Sequence, residues 1–174
     1  MSVRPSEIPP PGVLPALRLP ELELPPYRYV PGRHPHPLKD TTGHMADCPP
    51  TPTWGPDQPW EEDLGYVRGC DLFDHRYLWE AHEAWEGVWH QVPVDSSYRY
   101  LLQGLIQAAA GVLKRHVQHT AGAARLHARS REKLLRVLEA EGPRFKGMDL
   151  PELVTRLDAV HSGGCWPILP MSLP

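Results

Sequence analysis

The chain has 174 residues and a formal net charge of −3. That length suits one domain with a core of its own rather than two, and the charge argues against a global electrostatic pull towards nucleic acid. The three cysteines, Cys48, Cys70 and Cys165, lie far apart with no CxxC pair, which argues against a disulfide framework and a cysteine-rich zinc site.

Prolines crowd residues 1–58 and exclude a regular helix or a central strand there. Residues 1–24 are expected as a flexible arm. Residues 25–58 are expected to pack on a core, because Tyr27–Pro37 is aromatic, basic and stiff and loses little entropy on docking. His36 and His44 fall in this part.

Helical periodicity starts after Pro59. That proline and Glu61, Glu62 and Asp63 suit the first turn of a helix, in which Leu64, Val67 and Leu72 give a partial apolar stripe. After a break around Asp74–Arg76, a second helix begins at Tyr77. Leu78, His82, Trp85 and Trp89 share one of its faces, and Pro93 ends it. Ser96 or Ser97 caps a third helix with Leu101, Leu105, Ala108, Ala109, Val112 and His116 on its inner face. Its longest apolar run, Leu105–Leu113, contains Gln107 and is too short to span a bilayer. Thr120 reads as the cap of a fourth helix, closed by Gly142-Pro143, and Asp149 as the start of a short fifth helix ended by Gly163-Gly164. The fold class is therefore all-α: one compact bundle of about five helices over residues 59–164. A proline-rich, largely irregular extension precedes it, and the apolar tail 165–174 packs back on it. Neither an internal repeat nor an alternating strand pattern is present. No signal peptide is expected, so a cytoplasmic location is the default.

The second helix concentrates the chemistry. His82 and Glu86 are one turn apart, with Cβ atoms about 6 Å from each other, so an imidazole and a carboxylate can share one divalent metal ion. Glu83 is a candidate ligand or general base, and Glu80 a supporting carboxylate. Two ligands do not complete a site, and His116, His36 and His44 are the candidates to finish it. Trp89, Gln103 and Gln107 would support it. A di-iron centre of the helical-bundle type needs a repeated Glu-x-x-His, and the third helix carries no glutamate at all.

The run Phe73, Tyr77, Glu80-Ala81-His82-Glu83-Ala84-Trp85-Glu86 and Trp89, followed by Gln103–Ala109 and by Gly122-Ala123, resembles domain-of-unknown-function family 309 of bacteria and archaea. The resemblance covers roughly residues 60–140. It implies an all-helical fold and a motif H-x-x-x-E-x-x-[W/Y], matched by His82, Glu86 and Trp89, for which metal binding has been suggested. It implies no reaction. The segment Tyr27–His44 resembles an N-terminal extension carried by some members.

Three functional readings follow. In the first, a divalent metal at His82 and Glu86 serves as a binding centre or a metal-dependent hydrolase. In the second, His82, Glu86, Gln107 and His116 form a buried polar network in a non-enzymatic interaction module. In the third, Lys114, Arg115, Arg125, Arg129 and Lys133 contact nucleic acid, although the overall charge makes such a partner unexpected. No membrane partner is expected, and a homo-oligomer stays open.

Overall fold

The structure, a computed structural model, describes residues 14–46 and 54–171. Much of the expected loose arm and Cys48 lie outside the described residues. A short 3-10 turn, Trp60–Glu62, leads into α1, Leu64–Asp74. Then follow α2, Leu78–Trp89, α3, Ser97–His116, and α4, Thr120–Glu141. A hairpin of two-residue strands, β1 (Arg144–Phe145) and β2 (Met148–Asp149), leads to α5, Leu150–His161. The protein is all-α apart from this hairpin.

Local chemistry explains the boundaries. Asp63, Ser96 and Asp149 cap α1, α3 and α5 by accepting the N–H of Tyr66, Arg99 and Glu152. The cap of α4 is His119, whose Nδ1 accepts the Gly122 N–H, and not the expected Thr120. Pro59, Glu61 and Glu62 belong to the 3-10 turn rather than to α1, because the Asp63 carboxylate restarts the helix after it. Gly142 closes α4 at φ 87°, a left-handed position that glycine takes without strain.

Consecutive helices pack on one another. The centre of the core is Trp85, fully buried, with its indole N–H donated to the Tyr66 carbonyl at 3.1 Å. Gly69 lets α1 approach that indole: a Cβ there would lie 2.5 Å from Cδ1 and 2.7 Å from Cε2 of Trp85. The Ser130 hydroxyl donates to the Gly104 carbonyl at 2.7 Å and joins α4 to α3.

Three distant segments fasten to α1. The N–H groups of Arg18 and Leu19 and the Arg18 guanidinium all bond the Asp71 carboxylate, and Arg18 also pairs with Asp74 at 2.9 Å. The chain is thus anchored from within the stretch whose prolines suggested a loose arm. Prolines exclude helices but say nothing of an arginine with two buried carboxylates to reach. Tyr66 donates its hydroxyl to the Lys146 carbonyl in the hairpin. In the tail, Leu169 N–H donates to Asp74 at 2.7 Å, and Met171 bridges Met148.

Burial raises the Asp74 carboxyl from its ordinary value of 3.8 to about 6, although Arg18 and the Leu169 N–H pull it down. Between those pH values the unfolded chain ionises while the folded one keeps its proton. This group's contribution is therefore present below pH 3.8 and lost as pH rises to about 6. His161, pushed down to about 4 by burial and by its neighbour His127, acts in the opposite sense. The clean measurement is therefore a difference between variants. Asp74→Asn, compared with the native chain by urea denaturation, is expected to gain about 2 kcal/mol in relative stability from pH 4 to pH 7. A pH-independent difference would show that Asp74 titrates normally.

Candidate functional site

Leu78, Ala81, Trp85 and Val88 are the apolar residues that α2 buries. That choice turns His82, Glu83 and Glu86 to the margin of the helix. Their side chains are 27%, 23% and 40% exposed, half-covered rather than sealed. His82 Nδ1 lies 3.2 Å from Glu83 Oε1 and 3.9 Å from Glu86 Oε2. One ligand atom from each of the three falls within 4.8 Å of the others, and among the described residues no other group of three or more His, Cys, Asp or Glu does so.

Ligands around an ion at 2.0–2.2 Å sit about 3.0–3.5 Å from one another. The His82–Glu83 separation of 3.2 Å already has that value, and the His82–Glu86 separation of 3.9 Å is a little longer. One imidazole and two carboxylates are a donor set that first-row divalent cations accept. The residues present could therefore hold a metal ion.

His82 also lines a cavity of about 290 Å³ with Tyr29, His36, Trp79, Leu113 and Lys114 among its walls. His36 reaches it from the extension, its ring 5.3 Å from that of Trp79. The His36 Nδ1 accepts the N–H groups of Leu38 and Lys39, each at 3.3 Å. The neutral ring therefore carries its proton on Nε2. In this arrangement Nε2 can donate to a bound molecule but has no lone pair for a metal.

The other candidates are placed elsewhere. His44 Nε2 approaches Glu80 Oε1 at 3.2 Å, both side chains being buried, in a geometry that is not a well-aligned hydrogen bond. The same Glu80 oxygen accepts the Tyr29 N–H at 3.0 Å. Glu80 and His44 thus pin the extension to α2 and stand outside the His82 cluster. His116 lines a second cavity, its ring 5.6 Å from that of Trp166. It is not brought to His82 or Glu86. Trp89 lies under the Arg99 guanidinium, 4.0 Å from its ring centre, and anchors the start of α3. Gln103 and Gln107 are half-buried on α3, and Gln107 Oε1 is buried without a hydrogen-bond partner. The basic residues are dispersed: Lys114 lines the first cavity, Arg115 the second, Lys133 pairs with Glu132, and Arg125 and Arg129 are exposed.

Tyr29 and Lys114 were not foreseen in this neighbourhood. The aromatic and basic character of the extension hinted at the first, and nothing local marked the second. His82 and Glu86 are partly exposed, and His116 lines a different cavity.

No helix among the described residues is long and apolar enough to cross a membrane. Residues 66–126, which include all three cluster residues, match the family model described as a domain of unknown function (DUF309). No curated protein and no solved structure matches the chain.

Proposed function

We propose that the segment shared with this family of unknown function holds a divalent cation on His82, Glu83 and Glu86, and that the protein acts as a metal-dependent hydrolase on a small molecule seated in the adjoining cavity. The observation that carries the reading is the convergence of one imidazole nitrogen and two carboxylates within 4.8 Å at partly exposed positions. Such an ion, when bound, supplies a Lewis acid and lowers the pKa of a bound water.

The chain's own residues divide the remaining work. His82 and Glu86 act as ligands. Glu83, in contact with His82 Nδ1, serves as the third ligand. The His36 Nε2–H and the Lys114 ammonium offer a donor and a positive charge to an acceptor group of the bound molecule, while Tyr29 and Trp79 give it an apolar wall.

Because the ligands must be deprotonated, metal uptake should weaken on acidification. The test is metal content of untagged protein, measured after equilibration with Zn²⁺ or Mn²⁺ and gel filtration. The native chain is expected to retain about one ion per chain, and a His82→Ala/Glu86→Gln variant at least tenfold less. Equal metal in the two proteins would overturn the assignment.

A further inference from the structure

A second cavity, of about 640 Å³, opens where the end of α3, the start of α4 and the tail meet. Its size is that of small-molecule sites. It shares no lining residue with the cavity beside His82. Val112, Val160 and Trp166 form its apolar side, and Arg115, Gln118 and Thr120 its polar side. No carboxylate lines it.

Arg115 on the cavity wall lacks a counter-charge. Arg115 donates Nη1 to the His161 carbonyl at 3.0 Å, a contact that fixes the guanidinium without neutralising it. It has no ion-pair partner among the described residues. Arg76, which is not one of the lining residues, lies 4.9 Å over the ring of the lining Trp166, and its Nε and Nη1 are buried with no hydrogen-bond partner. An unpaired guanidinium is costly to bury and is relieved by an anion.

The backbone supports the same reading. Three of the last four α3 carbonyls, of Leu113, Lys114 and Arg115, are taken by the N–H groups of Val117, His119 and Gln118. Those three oxygens therefore already have a donor, which lessens the negative end that α3 turns to the cavity. Gln118 on the cavity wall, at φ 62°, is one of three non-glycine residues in the left-handed region among the described residues. Strain of this kind gathers at binding sites.

We propose that this cavity binds a small organic anion, a phosphate or carboxylate group carried on an apolar planar body. Arg115 pairs with the anionic group, Gln118 and Thr120 donate to it, and Trp166 and Val112 hold the body.

Isothermal titration calorimetry of the full chain at low salt tests the assignment, with phenyl phosphate, benzoate, inorganic phosphate and phenol as probes. Phenyl phosphate or benzoate is expected to bind at least tenfold more tightly than inorganic phosphate or phenol, and the preferred one of the pair identifies the anionic group. Arg115→Gln should weaken the preferred probe at least tenfold. Trp166→Leu, which leaves Arg115 and its carbonyl contact in place, should weaken it several-fold while keeping the preference for an anion. No saturable binding of either organic anion to the native chain would overturn the proposal, as would binding that both variants leave unchanged.

Discussion

Asp71→Ala is expected to lower the unfolding free energy by about 3–5 kcal/mol, measured by urea denaturation at pH 7. The carboxylate is fully buried and accepts from the N–H groups of Arg18 and Leu19 at 2.9–3.0 Å and from the Arg18 guanidinium at 3.0 Å. The substitution removes every one of those acceptors at once. It leaves two backbone donors unpaired and a guanidinium only 8% exposed with Asp74 as its remaining partner. The segment around Arg18 should also become the first site of proteolytic nicking. A loss below about 1 kcal/mol would mean that this segment is not fastened to α1 in solution.

Gly69→Ala is expected to cost about 3 kcal/mol, at the upper end of overpacking effects. The new methyl would meet Cδ1 and Cε2 of Trp85 at 2.5 and 2.7 Å. The indole cannot retreat without giving up its bond to the Tyr66 carbonyl. Trp85→Leu alone leaves a void, yet combined with Gly69→Ala the methyl has room. The double variant should therefore be more stable than the sum of the single losses by about 2 kcal/mol. Additive losses would contradict the close approach of α1 to α2.

What was legible in the sequence was local. Ser96 and Asp149 announce their helices because a cap and its target N–H are three residues apart. His82, Glu83 and Glu86 lie together because positions one and four residues on share a helix margin. The other site residues depended on partners that no local pattern announces. Glu80 reads in the sequence as a carboxylate supporting the His82 site, whereas a histidine from the extension, 36 positions earlier, rests against it. His36 looked like a ligand until two backbone N–H groups occupied its Nδ1. His116 lies on the apolar side of its helix, as its spacing indicated, but the tail delivers Trp166 to it and opens a different cavity. The hairpin strands are too short, at two residues each, to carry an alternating pattern.

The convergence on α1 has a consequence for the entropy of closing the chain. Asp71 is fastened to a residue 53 positions away, Tyr66 to one 80 away and Asp74 to one 95 away, all on a helix of 11 residues. Loop-closure entropy grows only with the logarithm of length, so the 95-residue loop costs about 0.5 kcal/mol more than the 53-residue one. The long C-terminal return is thus almost as cheap to close as the N-terminal one. A short helix with three buried polar anchors can therefore gather chain from both directions.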